Sequence, residues 1–185
     1  MEQISLIYFK QNIVDNNFDI PDGVYFAVQD KTEVSCGFLN DVNFDYCEEN
    51  SIPVLQLKRD GGAIVHFAGN VAWAKIESNE RKDFSYENMN FLSSLKDYLN
   101  NKGIAAIQAG NDLLVDGFKV ASGCAINIPP HFTKSFTAFQ ININTDVDLI
   151  RNICKKEMTK TPKGLGEYGI TTEEMVEFVK NYFKN

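Results

Sequence analysis

Two glycines next to positive charge stand at the start of a predicted strand and could bind an anion. Gly61 and Gly62 follow Lys58 and Arg59, and the alternating strand after them carries His66. Glycines let main-chain N–H groups approach a phosphate or carboxylate closely, and a neighbouring cation can neutralise its charge. A Gly-Gly pair is also common in ordinary turns, and an alternating histidine is often a hydrogen-bonded, half-buried one. The residues alone leave an anion site and a plain turn both open.

A lysine beside a tight turn is the second candidate for chemistry. Apolar residues flank Asp116-Gly117, a dipeptide that accepts positive φ and favours a two-residue hairpin turn. Lys119 follows on the second strand, and regular alternation would place Ala121 and Gly123 on the same face. An ammonium group beside two small residues is typical of solvent-exposed surface or of a cavity floor that takes a flat apolar group with its polar end at the lysine. This pattern does not decide between them.

The elements that must position these residues are mostly short strands. Runs of β-branched and aromatic residues predict strands over Ile4–Phe9, Val24–Gln29, Val34–Leu39, Ile52–Leu57, Ala63–Phe67, Val71–Ile76, Ile104–Gln108 and Phe136–Ile143. Helical periodicity predicts helices over Ser85–Lys102 and Asp146–Glu157, the latter with Cys154 inward, and a last helix that Thr171 and Glu174 open as a capping box. No linker or repeat divides the chain. We therefore expect one α+β domain over residues 1–185, with a mostly antiparallel mixed β-sheet flanked by helices.

Charge and cysteine content argue against several classes of function. The 185 residues carry 18 basic and 25 acidic side chains, a net charge of −7, which is the wrong sign for binding nucleic acid or anionic membranes. No stretch approaches the ~18 apolar residues of a membrane span. The four cysteines are widely separated and only two histidines accompany them, so no metal site is predicted. We expect a cytoplasmic protein with reduced thiols and neither nucleic acid nor membrane as a partner.

Two segments match a known pattern in the right order. The first has an arginine, two glycines, a histidine and Gly-Asn, which are Arg59, Gly61, Gly62, His66, Gly69 and Asn70. The second has Asn-Asp, apolar residues, Asp-Gly and a lysine before a run of small residues, which are Asn111, Asp112, Asp116, Gly117, Lys119, Gly123 and Ala125. Together they resemble the biotin/lipoate A/B protein ligase family, above all its lipoate-ligase branch.

The resemblance implies a lipoate/biotin ligase-like fold and a two-step acyl transfer. Lipoate or a related acid would react with ATP to give an acyl-adenylate, and a lysine of a lipoyl-type carrier domain would then take the acyl group. Lys119 would be the catalytic cation, placed where negative charge grows in the transition state. Mg²⁺ would screen the triphosphate, with Asp112 and Asp116 as its nearest acidic candidates. The substrate- and nucleotide-binding residues implied are Arg59, Gly61, Gly62, His66, Gly69, Asn70, Asn111, Asp112 and Gly123.

The resemblance does not identify the acid substrate, but it implies an expectation about an accessory domain. Lipoate, octanoate and biotin are all acids that members of the family use. The small accessory C-terminal domain of the longer ligases is expected to be absent from residues 1–185.

Two other functions remain open beside the ligase. The octanoyltransferase branch needs no ATP and forms a thioester on a cysteine downstream of the lysine, for which Cys154 is the first candidate and Cys124 the second. The predicted inward position of Cys154 on a helix is more typical of an inert core thiol. A non-catalytic descendant that binds an acyl group or nucleotide is favoured by Asp60, which stands where the family pattern has a glycine.

Overall fold

The fold is taken from a computed structural model that describes residues 2–3, 21–56, 62–78, 85–128 and 134–184. The predicted strand Ile4–Phe9 lies outside them. The strands of the described ranges are β1 Glu2–Gln3, β2 Gly23–Val28, β3 Glu33–Cys36, β4 Val54–Gln56, β5 Ile64–His66, β6 Val71–Ser78, β7 Ala106–Ala109, β8 Asp112–Val115, β9 Phe118–Ile128 and β10 Lys134–Ile141. The helices are α1 Phe44–Glu49, α2 Ser85–Asn101, α3 Val147–Ile153 and α4 Thr172–Tyr182, with 3₁₀ turns at Leu39–Asp41 and Leu165–Tyr168. None of the helices within these ranges is long and apolar enough to cross a lipid bilayer.

The strands form two sheets. The larger sheet has the order β1-β2-β6-β10-β9-β8-β7, and its neighbouring strands are antiparallel except for β1 and β2. The smaller sheet has the order β4-β3-β5, with β3 parallel to β4 and antiparallel to β5. The predicted α+β fold with a mostly antiparallel mixed sheet is confirmed. Its division into two sheets was not predicted.

Helices α2 and α4 cover one face of the large sheet. The Trp73 and Phe139 rings stack at that face with their centroids 5.8 Å apart, and Phe91 of α2 meets the edge of Trp73 at 4.9 Å. Aromatic pairs of this kind add to the free energy gained by burying their area. The buried helix residues that complete this cluster are Leu92, Leu95, Leu99, Met175 and Val179. This face of the sheet is closed, so any site on the sheet must use the other face.

The small sheet forms a separate hydrophobic cluster with α1 and α3. Its fully buried members are Val34, Cys36, Val42 and Ile153, and among the described residues it shares none with the first cluster. Helix α1 was not predicted. The sequence carries its start signal, since the side chain of Asn43 accepts a hydrogen bond from the Tyr46 amide at 3.4 Å.

The predicted hairpin and the predicted cap of the last helix are confirmed. Asp116 and Gly117 both have positive φ, at 52° and 82°, and connect β8 to β9. The Thr171 hydroxyl accepts a hydrogen bond from the Glu174 amide at 3.2 Å. The Glu174 carboxylate pairs with Lys102, just after α2, and accepts a hydrogen bond from Tyr98 of α2. These two contacts and a hydrogen bond from the Thr171 main chain, the reciprocal bond of a capping box, lower the pKa of the Glu174 carboxyl. The cap therefore also ties α4 to α2.

Helix α3 is shorter than predicted. It ends at Ile153 rather than Glu157, and Cys154 has an extended backbone with φ −90° and ψ 122°. Cys154 forms an antiparallel bridge with Val42, and the Lys155 amide donates to the Asp41 carbonyl at 2.9 Å. These tertiary hydrogen bonds replace the ones that another helical turn would make. The predicted position of Cys154 inside a helix is wrong.

The 3₁₀ turn at Leu165–Tyr168 packs directly on the end of β10. The Leu165 amide donates to the Asn142 carbonyl at 2.8 Å and the Gly166 amide donates to the Ile143 carbonyl at 2.9 Å. At Gly164, a Cβ atom would lie far inside contact distance of the Ile143 carbonyl oxygen. A glycine is required there because two main-chain segments touch.

Candidate active site

A cavity of about 540 Å³ lies between the two sheets. Its floor is the face of the large sheet opposite α2 and α4, and its roof includes Gly62 and β5 of the small sheet. On the small-sheet side, residues of the second hydrophobic cluster line it, among them Ile150. A cavity of this size can enclose a small organic ligand.

The cavity floor is formed by four adjacent strands and consists mostly of small residues. One row crosses the sheet as Ala27, Ala72, Gln140 and Ser122, and the next as Tyr25, Ala74, Ala138 and Cys124. Alanines leave space above a sheet that larger side chains would fill, so the cavity is a consequence of these residue types. The floor is mainly apolar, with Gln140 and Ser122 as polar exceptions towards β8.

Lys119 lines this cavity. Of the two environments left open for its side chain, solvent-exposed surface and a ligand cavity, the structure therefore shows the cavity. Leu113 pairs with Ala121 but Leu114 pairs with Lys119, so Val120 is an extra residue in β9. The bulge buries Val120 and Ala121 on the helix side of the sheet and leaves Lys119 on the cavity side with Ser122 and Cys124. The prediction that Lys119 shares its face with Ala121 and Gly123 is wrong, although Gly123 reaches the cavity through its main chain.

Main-chain hydrogen bonds hold Lys119 on both sides. Its amide donates to the Thr161 carbonyl at 2.9 Å, and its carbonyl accepts from the Lys163 amide at 3.0 Å. Within the described ranges, no carboxylate lies within ion-pair distance of the Lys119 ammonium group. The backbone of Lys119 is fixed while its charge is available to a ligand.

A chain of polar side chains crosses from the small sheet to Lys119. The Ser35 hydroxyl lies 2.8 Å from His66 Nε2, and His66 Nδ1 lies 2.6 Å from Gln140 Oε1. Gln140 Nε2 then donates to Asn142 Oδ1 at 3.0 Å. Because Gln140 uses its amide nitrogen towards Asn142, its oxygen accepts from His66, and the proton is assigned to Nδ1. His66 thus joins the two sheets at the cavity wall.

The predicted binding residues occupy different positions relative to the cavity. Gly62, His66, Asp112 and Gly123 line it. Asn111 is exposed in the turn between β7 and β8 and does not line it. Arg59 and Gly61 lie outside the described residues.

Gly69 and Asn70 form a structural corner beside the cavity. Gly69 has φ 84°, and a Cβ there would lie 2.6 Å from the Asn144 side chain. Asn70 is buried, and its Oδ1 accepts hydrogen bonds from the Ile143 and Asn144 amides at 2.8 and 2.9 Å. Asn70 therefore orders the chain between β10 and α3, next to the turn that holds Gly164.

Both candidate nucleophiles line the cavity. Cys154 is partly buried, and desolvation, together with the nearby groups of Cys47, Asp41 and Cys36, raises the pKa of its thiol. A raised pKa leaves less thiolate at neutral pH, which slows nucleophilic attack. Cys124 is exposed and lies on the cavity floor. The structure brings both thiols into the cavity that holds Lys119. The raised pKa keeps more of the Cys154 thiol in its protonated form, which is less reactive than the thiolate.

Sequence reasoning missed two lysines of the cavity wall. Lys156 Nζ lies 3.0 Å from Asp41 Oδ2, and Lys160 Nζ lies 2.6 Å from Asp112 Oδ2. Four lysines between positions 155 and 163 are the signal that could have found them. Asp116, by contrast, accepts a hydrogen bond from the Tyr168 hydroxyl at 3.0 Å and does not line the cavity. Asp112 is thus the one of the two magnesium candidates that faces the cavity.

A family match covers nearly the whole chain. The family model described as Lipoyl protein ligase A/B catalytic domain matches residues 10–183. The chain belongs to this family. In this lipoyl protein ligase A/B catalytic domain, strands β2 to β10, Lys119 and the residues that line the cavity all lie inside the matched range.

Individual relatives of this catalytic domain are distant. Lipoate–protein ligase 1 of Staphylococcus aureus (strain Mu50 / ATCC 700699) is 23% identical over 145 residues, which are 77% of this chain and 43% of the relative. The chain thus spans less than half the length of that curated relative.

Solved structures of lipoate ligases share the fold. A bi-partite lipoate protein ligase of Thermoplasma acidophilum, studied with its E2 lipoyl domain, superposes with a TM-score of 0.68 at 15% identity, covering 91% of this chain and 72% of the other. A lipoate-protein ligase A bound with ATP gives a TM-score of 0.68 at 15% identity, covering 91% and 74%. These likenesses establish the architecture.

Proposed function

We propose that this chain activates lipoate, or a related acid, with ATP and passes the acyl group to a lysine of a lipoyl-type carrier domain. The observation that carries the proposal is the cavity with a mainly apolar floor and, at its wall, the ammonium of Lys119, which has no carboxylate partner among the described residues. An acid with an apolar chain fits such a floor, and a cation serves its carboxylate end. The similar lipoate–protein ligase of S. aureus and the similar structure bound with ATP support this choice.

The first step would form a mixed anhydride. A carboxylate oxygen of the acid attacks the α-phosphorus of ATP, the bond to the leaving pyrophosphate breaks, and an acyl-adenylate remains. Lys119 would stabilise the negative charge that grows on the oxygens at this centre, because a fixed cation in a cavity costs no reorganisation. Gly62 and the predicted anion-binding stretch before it would frame the carboxylate and phosphate.

The second step would transfer the acyl group. The neutral amine of a carrier lysine attacks the acyl carbon, AMP leaves, and the proton of the amine passes to solvent. The T. acidophilum ligase was studied with its E2 lipoyl domain, which supports a carrier of this kind. The proposal also places this reaction in the cytoplasm, a reducing compartment in which four free thiols are expected.

Mg²⁺ fits the donor set of the cavity. Protein sites for Mg²⁺ in nucleotide enzymes use one or two carboxylates together with substrate phosphates. Asp112 would hold the ion, since it is the carboxylate on the Lys119 side of the cavity. The ion supplies charge neutralisation for the triphosphate when it is bound.

An activation assay tests the proposal directly. Incubation with ATP, Mg²⁺ and lipoate, octanoate or biotin should release pyrophosphate with at least one acid, and adding a lipoyl domain should produce an acylated domain detectable by mass. Pyrophosphate without acylation would limit the chain to activation. A rise in melting temperature with ATP or an acid, but no pyrophosphate, would support the non-catalytic binder.

A thioester enzyme of the octanoyltransferase type is the second candidate. One observation favours it, the presence of both Cys154 and Cys124 in the cavity that holds Lys119. This reaction would need no ATP, because the acyl group would move from a carrier thioester or amide to the thiol and onward. The raised pKa of the Cys154 thiol opposes it.

A further inference from the structure

Residues 156–160, here called the strap, run along the cavity wall with few attachments. The main-chain hydrogen bonds nearest to them are at their ends, from the Lys155 amide to the Asp41 carbonyl and from the Lys119 amide to the Thr161 carbonyl, both 2.9 Å. Between these points, the main-chain groups of the strap make no hydrogen bond to another main-chain group of the described residues. The strap is therefore attached at two ends and depends on side chains in between.

Two ion pairs, together with the packing of Met158 on the small-sheet cluster, supply those side-chain attachments. Lys156 pairs with Asp41 at the small-sheet end, and Lys160 pairs with Asp112 at the large-sheet end. All four residues line the cavity. The Lys160 end lies beside Lys119, since Thr161 is the residue that hydrogen-bonds to the Lys119 main chain. Among the described residues, the cavity wall near Lys119 thus holds one cation without a carboxylate partner, Lys119 itself, and one neutralised pair.

This arrangement creates a conflict for a phosphate ligand. Asp112 carries negative charge into the region where the proposed function puts a triphosphate, and like charges there would weaken binding. Lys160 cancels that charge in the ligand-free protein. A phosphate offers Lys160 several charged oxygens in place of one carboxylate, and charge-assisted hydrogen bonds to phosphate are strong.

We propose that Lys160 is a second phosphate-binding residue of this cavity and that Asp112 holds it in place until the nucleotide arrives. On binding, the Lys160 ammonium moves from Asp112 to a phosphate oxygen, and the freed Asp112 carboxylate becomes available to Mg²⁺. No covalent bond changes in this exchange. The inference rests on the proposed function, because it takes ATP as the ligand.

Titration calorimetry with ATP in Mg²⁺-free buffer tests the exchange. Lys160→Met should weaken ATP binding by about 10- to 100-fold, the range expected for one charged hydrogen bond. Lys160→Arg keeps the charge and should recover most of the affinity. Asp112→Asn removes both the repulsion and the competing partner, so it should tighten ATP binding by about 3- to 10-fold.

Lys163→Met is the matched control. Lys163 lies three residues from Lys160 and also forms an ion pair, with Glu167 at 3.5 Å, but its ammonium packs on the rings of Phe118 and Tyr168 and does not line the cavity. Its loss should change ATP affinity by less than about twofold. Melting curves of each variant check that the fold is retained.

The outcomes separate failure of this inference from failure of the proposed function. Wild-type protein that binds ATP, together with a Lys160→Met variant that keeps its fold and binds ATP equally well, would overturn the role of Lys160 alone. Equal losses of ATP affinity in Lys160→Met and Lys163→Met would also overturn it, because they would show an effect of the protein's overall charge rather than of a specific phosphate contact. Wild-type protein that binds no ATP would overturn both.

Discussion

Asn142 Nδ2 donates a hydrogen bond to the main-chain carbonyl oxygen of Lys119 at 3.4 Å. Through Gln140 and His66, this bond is the last in a series that begins at Ser35 on the small sheet. The series spans the cavity wall and links the roof to the strand that carries the candidate catalytic cation. The position of Lys119 therefore depends on residues of both sheets.

Gln140 is the central residue of this series, and its loss should destabilise the protein. Gln140→Leu keeps the approximate size of the side chain but removes the hydrogen bonds to His66 and Asn142, both of which are buried. We expect a loss of about 1–3 kcal/mol in the free energy of unfolding, measured by urea denaturation. Gln108→Leu is the control, because Gln108 makes one exposed hydrogen bond at 3.4 Å to Gly110, and should change it by less than about 0.5 kcal/mol. Equal effects would show that the series contributes nothing.

Removing the Lys119 side chain should abolish activation without unfolding the protein. The structural hydrogen bonds of Lys119 belong to its main chain and survive in Lys119→Ala, whereas the ammonium is lost. Pyrophosphate release with ATP, Mg²⁺ and acid should fall by about 10²-fold or more. The melting temperature should remain close to the wild-type value. Retained activity in this variant would remove Lys119 from the catalytic role.

The Cys154 thiol should react slowly at neutral pH. Its pKa is raised, so at any pH below that value it has a smaller thiolate fraction than an ordinary cysteine, and its reaction should accelerate only as the pH rises through the raised pKa. Iodoacetamide labelling followed by peptide mass spectrometry should modify exposed Cys124 first. Cys36 and Cys47 are buried, with raised pKa values, and provide the slow references. Denaturation should make all four equally fast.

No acyl adduct should form on the protein from an octanoylated carrier. A ligase needs neither thiol, so intact-mass measurement should show the unmodified chain in the wild type and in Cys154→Ser alike. A hydroxylamine-sensitive octanoyl adduct that disappears in Cys154→Ser or Cys124→Ser would identify the nucleophile. Fast native labelling of the same cysteine would then favour the octanoyltransferase over the ligase.

Gly164→Ala should destabilise the fold because a methyl group has no room there. The added Cβ would overlap the Ile143 carbonyl, which is main chain and cannot rotate away. We expect about 1–3 kcal/mol lower stability in denaturant unfolding. Gly23→Ala is the control, since its Cβ would meet only the Tyr25 ring, at 3.6 Å. Similar effects at both positions would mean that the close approach is easily relieved.

The sequence predicted features that depend on neighbouring residues. The Asp116-Gly117 hairpin and the Thr171 cap are local, because each is determined by the backbone preferences and hydrogen bonds of a few adjacent residues. Both are confirmed. The family resemblance also placed Lys119, Gly62 and His66 in one site, and the structure brings them to one cavity.

Features that depend on distant contacts were missed. Regular alternation cannot reveal the extra residue Val120, because the bulge is defined by pairing with β8. The end of α3 before Cys154 depends on hydrogen bonds to residues 41 and 42, more than a hundred positions earlier. The Lys160–Asp112 pair likewise joins residues 48 positions apart. Such contacts follow from tertiary packing, which periodicity does not encode.

The division of the apolar residues into two clusters has a thermodynamic consequence. The cavity lies between the small-sheet cluster and the uncovered face of the large sheet, so the chain folds with a part of its interior left unfilled. A bound acyl chain would take the place of missing core side chains and gain the same kind of burial free energy. The free energy of binding the acyl chain would then add to the free energy of unfolding, and the domain would be most stable with the acyl chain bound.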